Sequence, residues 1–137
     1  MEEPLLLGPG SATPGWLVEL ETACFGDSFG PLGDHERVWA FPPAAFVRWA
    51  VVPLVAEGQL VRLAVDPGHR REGLARALLN LSEAVLRREG ITILYLEVRV
   101  SNAGARTLYE REGWTFQGIR KAYYRNGEDA ALYKKDL

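Results

Sequence analysis

The stretch that decides the fold is Leu63-Ala64-Val65-Asp66-Pro67-Gly68-His69-Arg70-Arg71-Glu72-Gly73-Leu74-Ala75. Its apolar beginning is typical of a strand, its middle of a turn, and its end of a helix start. The first N–H groups of a helix lack intrahelical partners, and the helix dipole places about half a positive charge there. A diphosphate fits such a site, and Gly73 lets it approach without a Cβ in the way. The stretch therefore predicts an anion-binding turn between a strand and a helix.

The bulk composition is that of an ordinary globular chain. It has 137 residues, a formal net charge of −2, 47% hydrophobic residues and 25% charged residues. We expect one domain over residues 1–137. The charge gives no reason to expect nucleic-acid binding, and no apolar run approaches the ~20 residues of a membrane helix. Cys24 is the only cysteine, which excludes an internal disulfide and favours a cytoplasmic protein that binds no membrane.

Glycine and proline punctuate the first half of the chain and set the boundaries of its elements. We predict a strand at Leu5–Leu7, a helix from Pro14 to Phe25 with Thr13 as N-cap, a loop over 26–33 and a strand at Val38–Phe41.

A longer strand is expected next. Ala45–Val55 is rich in β-branched and aromatic residues, with Pro53 suggesting an edge or a bulge. We expect Glu57-Gly58-Gln59 to turn the chain into a strand over Leu60–Val65.

The second half alternates helices and strands. We predict a helix over Leu74–Glu89, a strand over Ile91–Val100, a helix from Ser101 or Asn102 to Glu112, and strands over Trp114–Arg125 and Ala130–Lys135. This order predicts an α/β (α+β) protein, a mixed sheet with helices on both faces.

Glu97 is the first candidate for chemistry, because it interrupts a strongly β-prone segment. Even-numbered positions there form an apolar face, and Glu97 lies on the other face. A buried acid is costly, so spacing alone favours a half-exposed Glu97 paired with Arg99 or Arg62. From spacing alone, we expect Tyr109 on the core-facing side of a helix and Asn102 at a helix N-cap.

The remaining candidates have ordinary structural explanations. His69 and His35 suit exposed loops, and Cys24 suits a small apolar packing position. Together they do not make a metal-binding set.

Several motifs, in the right order over about residues 60–137, resemble the GNAT superfamily of N-acetyltransferases. The segment Arg70–Ala75 is similar to its [QR]-x-x-G-x-[GA] pattern, which holds the pyrophosphate of acetyl-CoA. Four segments resemble its RimI-like subgroup, bacterial enzymes that acetylate the N-terminal α-amine of a ribosomal protein. These segments are Glu97–Ala103, Leu108–Trp114, Arg120–Tyr124 and Glu128–Ala130.

The resemblance implies the GNAT fold, a mostly antiparallel central sheet of six to seven strands with a splayed parallel pair at the CoA site. It also implies acetyl-CoA as cosubstrate, no metal, and the N-terminal peptide of a protein, such as a ribosomal one, as acceptor. For the oligomeric state, we expect a monomer or a weak dimer.

The resemblance implies site residues as well. Those for acetyl-CoA are Leu63, Ala64, Val65, Arg70, Arg71, Glu72, Gly73, Leu74, Ala75, Arg76 and Asn102. Glu97 would be the general base and Tyr109 the general acid, while Tyr123 and Tyr124 would line the slot for the peptide. Whether Glu97 acts directly or through a water stays open.

Alternatives remain for the acceptor. The pKa of an α-amine is about 8 and that of lysine about 10.4, so more α-amines are neutral near pH 7. This modestly favours an α-amine over lysine. The glycine-rich loop over 26–33 departs from the RimI-like pattern, so an acetyltransferase of lysine or of a small amine is the second hypothesis. A non-catalytic acyl-CoA-binding regulatory domain is the third.

Overall fold

The computed structural model describes residues 3–137. Seven strands form one sheet in the order β1-β2-β3-β4-β5-β7-β6. The strands are β1 (Leu5–Leu7), β2 (Glu36–Phe41), β3 (Ala45–Val52), β4 (Glu57–Val65), β5 (Ile93–Arg99), β6 (Thr115–Arg120) and β7 (Ala130–Asp136). The helices are α1 (Gly15–Phe25), α2 (Leu74–Arg88) and α3 (Ala103–Arg111). Only the β4–β5 pair of this sheet is parallel, so the predicted mixed, mostly antiparallel sheet is confirmed.

The buried residues form two clusters, one on each face of the sheet. In β2, Val38 and Ala40 belong to the cluster beneath α1, whereas Trp39 and Phe41 belong to the cluster beneath α2. This alternation follows from the period of two along a strand. The buried hydrophobic residues of the helices are Leu17 and Leu20 of α1, Leu78, Leu79 and Leu86 of α2, and Tyr109 of α3. Helices therefore cover both faces, as predicted.

A bulge in β4 separates the two parallel strands. Arg48 pairs with Arg62 and Trp49 with Leu60, so Val61 is an extra residue. A bulge bends its strand and increases the local twist. The pairing of β4 with β5 accordingly ends at Leu60 and Leu96. Beyond this point the strands diverge, which confirms the splayed parallel pair.

The predicted cap of α1 is wrong. The helix begins at Gly15, with Pro14 as N-cap and no side-chain cap. Pro14 has an extended backbone, at φ −60° and ψ 153°, so Thr13 lies one residue too far from the first turn to cap it.

The predicted turn between β3 and β4 is also displaced. Pro53–Val55 forms a short 3₁₀ turn, and Ala56, at φ 56°, leads into β4. The segment Glu57-Gly58-Gln59 is therefore the start of β4 instead of a turn. Pro53 ends β3, because proline has no N–H to donate to a neighbouring strand. Since β3 is an interior strand, Pro53 marks neither an edge nor a bulge, and that prediction is wrong.

Two further boundaries differ from prediction. β2 begins at Glu36, two residues before the predicted start, and β6 ends at Arg120 instead of Arg125. Ala122, at φ 50°, donates its N–H to Asp129 Oδ1 over 2.8 Å, which shapes a loop between β6 and β7. No helix within residues 3–137 is long and apolar enough to cross a membrane.

Candidate active site

A cavity of about 630 Å³ lies where β4 and β5 diverge. Its walls come from the end of α1, the middle of β4, the end of β5, α3 and the loop between β6 and β7. Six of the predicted site residues line it: Leu63, Glu97, Asn102, Tyr109, Tyr123 and Tyr124. The fold thus brings together residues up to 61 positions apart in the chain.

The backbone of β4 offers an open edge to this cavity. Leu63 and Val65 pair with Val47 and Ala45 of β3, but β5 no longer pairs with them. The backbone groups on the β5 side are free to hydrogen-bond an extended, amide-containing ligand, as the groups of an edge strand do.

The predicted anion-binding turn follows β4 directly. Arg71 has φ 69° and Gly73 φ 76°, and a positive φ at a residue such as Arg71 is costly enough to suggest a functional constraint. The N-terminus of α2 has no side-chain cap, and the N–H of Ala77 bonds to the Gly73 carbonyl over 3.0 Å. The preceding N–H groups of the first turn are therefore available, which fits a diphosphate.

The remaining residues predicted for acetyl-CoA lie outside the cavity wall. Ala64 and Val65 continue β4, and Arg70, Arg71, Glu72, Gly73, Leu74, Ala75 and Arg76 form the turn and the start of α2. These residues follow the cavity at the carboxyl end of β4, where a long ligand leaving the cavity would meet α2.

The partner of Glu97 is not the predicted one. Its Oε1 lies 3.5 Å from Nη1 of Arg120, and the two side chains are 24% and 55% exposed. Arg99 pairs with Glu128 instead, at 3.0 Å. Arg62 is engaged by Glu21 on α1, so neither predicted cation reaches Glu97.

Tyr123 also contacts Glu97. A hydrogen bond to the Glu97 carboxylate is the main cause that raises the pKa of Tyr123, and burial adds to it. The Tyr123 ring packs edge-on against Tyr124, with centroids 5.0 Å apart. Burial raises the pKa of Tyr124 to about 12. Both hydroxyls therefore keep their protons at ordinary pH.

Tyr109 is held rigidly in α3. Its side chain is only 6% exposed, and its ring packs edge-on against Trp114 with centroids 6.0 Å apart. Burial raises the pKa of Tyr109 well above its ordinary value. The hydroxyl therefore stays protonated and is suited to donate a hydrogen bond into the cavity.

Asn102 and Cys24 have structural roles beside the cavity. Asn102 Oδ1 caps α3 by accepting from the N–H of Ala105 over 3.1 Å, so its amide group is the part that can donate to a ligand. Burial raises the pKa of the Cys24 thiol, and Arg70 opposes that rise. A protonated thiol is a poor nucleophile, which agrees with a packing role for Cys24.

The sequence analysis missed the network that fixes the loop over 26–33. Glu21 is fully buried and accepts from Ser28 Oγ, from the Phe29 N–H and from Arg62 Nη1. Arg48, also buried, donates to the carbonyl groups of Gly30 and Pro31. The sequence does contain a sign of this network, an arginine in the middle of each of two apolar strands. A cation in such a place requires a buried partner of opposite charge.

Within residues 3–137, no group of three or more His, Cys, Asp or Glu side chains could hold a metal ion.

Comparison with known proteins agrees with this geometry. The model of the Acetyltransferase (GNAT) family matches residues 17–114. The chain is 46% identical over 81 residues to a ribosomal protein bS18-alanine N-acetyltransferase of Escherichia coli, covering 59% of this chain and 53% of that protein. It is 40% identical over 85 residues to an N-alpha-acetyltransferase of Saccharolobus solfataricus, covering 61% and 51%. The matches thus span about half the length of these two relatives.

A solved structure extends the likeness to the whole fold. The crystal structure of the ribosomal-protein-S18-alanine N-acetyltransferase from Escherichia coli superimposes with a TM-score of 0.72 and 29% identity. The match covers 98% of this chain and 94% of that one. With the family model matched from α1 to Trp114, and with the splayed parallel strands in place, the chain belongs to the GNAT family of acetyltransferases.

Proposed function

We propose that this chain transfers an acetyl group from acetyl-CoA to the N-terminal α-amine of a protein. The observation that carries the proposal is that Glu97 and Tyr109 line one cavity, at the divergence of β4 and β5. The relatives that acetylate ribosomal-protein alanine or an α-amine support this choice of acceptor.

The residues present fit acetyl-CoA, which supplies the activated acetyl thioester. The open edge of Leu63, Ala64 and Val65 would hydrogen-bond the amides of the pantetheine arm and orient the thioester carbonyl. The N–H groups of residues 71–76, at the uncapped start of α2, would hold the pyrophosphate. Asn102 would donate its amide to the pantetheine.

Glu97 would act as the general base. It lies on the face of β5 away from α2, half-exposed, where an amine entering the cavity can reach it. It would accept the proton of the attacking amine, directly or through one water. General base catalysis of this kind contributes about 10²–10⁴-fold to a rate.

Tyr109 would stabilise the departing thiolate. Its buried hydroxyl keeps its proton, so it donates a hydrogen bond to the sulfur as negative charge develops there. Such a preorganised donor acts most strongly in a site that excludes water. The protonated hydroxyls of Tyr123 and Tyr124 would bind the backbone of the acceptor.

The test is to incubate the protein with acetyl-CoA and a panel of N-terminal peptides. Each peptide is paired with an α-blocked version that carries a free lysine, and mass spectrometry locates the acetyl group. We expect label on free α-amines only. Label on lysine or on small amines would replace this proposal with the second hypothesis, and CoA binding without any product would replace it with the regulatory domain.

A further inference from the structure

One face of the sheet is only partly covered by helix. The buried residues of α1 pack against Val38, Ala40, Phe46 and Ala64, which belong to β2, β3 and β4. On the same face, no helix within residues 3–137 packs against β5, β7 or β6. Tyr95 and Leu132 on these strands are accordingly half-buried instead of buried.

A groove of about 300 Å³ runs across these uncovered strands. Gln59 of β4, Tyr95 and Glu97 of β5, Leu132 of β7 and Gln117 of β6 contribute to its walls. Apart from Glu97 and Arg120, which pair with each other, its walls are uncharged. The groove therefore suits an uncharged, amide-rich ligand better than an ion.

Gly118 leaves space at the outer end of the groove, because it has no side chain. Gly118 pairs with Leu132, which in turn pairs with Glu97. Gly118 has φ 150°, a conformation that other residues rarely adopt, and no atom lies within 4 Å of the position of a Cβ there. The row of paired residues formed by Glu97, Leu132 and Gly118 thus ends in open space above Gly118.

The groove continues the candidate active site. Gln59 and Glu97 line both the groove and the cavity between β4 and β5. Glu97, which lines both, pairs over 3.5 Å with Arg120 of the groove wall, and the Arg120 side chain is 55% exposed. Exposed pairs of this kind contribute little to stability, so a ligand can displace Arg120.

We infer that this groove seats the residues of the acceptor polypeptide that follow its reactive α-amine, and that Gln117 helps to select an uncharged, extended segment there. The inference rests on the proposed function, because it is the amine at Glu97 that places the acceptor at the inner end of the groove.

The width of the sheet sets how many residues the groove can hold. From β5 across β7 to β6 there are two strand spacings, about 9.5 Å in all. An extended chain advances about 3.3–3.6 Å per residue. About three residues beyond the reactive one therefore fill the groove.

The experiment measures kcat/KM for a ladder of uncharged peptide amides, from dipeptide to hexapeptide, with the same first residue. We expect kcat/KM to rise about tenfold up to the tetrapeptide and then to level off, an effect of about 1.4 kcal/mol of binding free energy. Gln117→Trp fills the groove and should return the tetrapeptide to the kcat/KM of the wild-type dipeptide.

The matched control is Ile119→Trp on the same strand. Ile119 pairs with Ala131, whose side chain belongs to the α2 cluster, so it faces the other side of the sheet. This variant should keep the full gain with length, and both variants should keep the unfolding midpoint of the wild type.

A rate that does not depend on length, or a gain that survives Gln117→Trp, would overturn the groove while leaving α-amine acetylation intact. Failure to acetylate the α-amine of any peptide would overturn the proposed function and this inference with it.

Discussion

The guanidinium carbon of Arg62 lies 3.5 Å from the centroid of the Phe29 ring and 4.5 Å from that of Phe25. The same guanidinium is bound by Glu21 at 3.1 Å and by Asp27 at 2.6 Å. One cation from β4 thus joins α1 to the glycine-rich loop and fixes two aromatic rings in the cavity wall.

Glu21→Ala should be strongly destabilising. Glu21 is fully buried, and its loss leaves the buried Arg48 and the partly buried Arg62 without this shared partner. Breaking a buried pair costs about 3–5 kcal/mol of the free energy of unfolding, which urea denaturation will measure. Glu19→Ala, an exposed change on the same helix, serves as control and should stay within about 0.5 kcal/mol of the wild type.

Tyr109→Phe should lower kcat without unfolding the protein. The ring keeps its packing against Trp114 and Tyr133, and only the hydroxyl is lost. We expect kcat to fall about 10²-fold or more, the usual effect of removing a proton donor, while acetyl-CoA binding measured by calorimetry stays intact. A normal kcat with intact binding would remove Tyr109 from the mechanism, and the same test applies to Glu97→Gln.

Gly73→Ala and Gly104→Ala should have opposite effects on stability. Gly73 has φ 76° at the start of α2, whereas Gly104 lies within α3, and neither has an atom within 4 Å of the Cβ position. Backbone conformation alone therefore decides. Gly104→Ala should stabilise by about 0.5–1 kcal/mol, while Gly73→Ala should destabilise and also weaken acetyl-CoA binding. Equal affinity in the two variants would argue against the anion-binding turn.

The stability contributed by Glu83 should decrease as the pH rises. Burial raises the pKa of Glu83 in the folded state, although Lys135 Nζ, 2.6 Å away, opposes the rise. The folded state then holds the proton more tightly than the unfolded state, so stability falls with increasing pH. Relative to Glu83→Gln, the wild type should be most stable below about pH 4 and lose that advantage above it. A difference that is constant or increases with pH would contradict this.

Elements whose pattern is local were predicted well from the sequence. The stripe of apolar residues in α2 and the alternation in β5 gave boundaries within two residues of those observed. The cap of α3 by Asn102 was also predicted, because an N-cap side chain bonds to a backbone N–H only two or three residues later in the chain.

The partners of charged residues could not be predicted in this way. Glu97 was expected beside Arg99 or Arg62, but it meets Arg120, 23 residues later in the chain. Arg62 meets Glu21, 41 residues earlier. Such contacts depend on the order of strands and on the placement of helices, which residue spacing does not specify. The same holds for Pro53, because whether its strand is an edge or an interior strand depends on the order of strands in the sheet.

The extra residue Val61 makes the length of β4 as important as its composition. Because Arg48 pairs with Arg62 while Trp49 pairs with Leu60, Arg62 and Leu60 face opposite sides although they are two residues apart. Deleting Val61 would keep Arg62 and Leu60 on opposite faces, but it would restore regular pairing with β3, remove the bend in β4 and close the gap beside β5. Among natural variants of this chain, insertions and deletions should therefore be absent from 60–63 and should accumulate in surface turns such as that over 53–56.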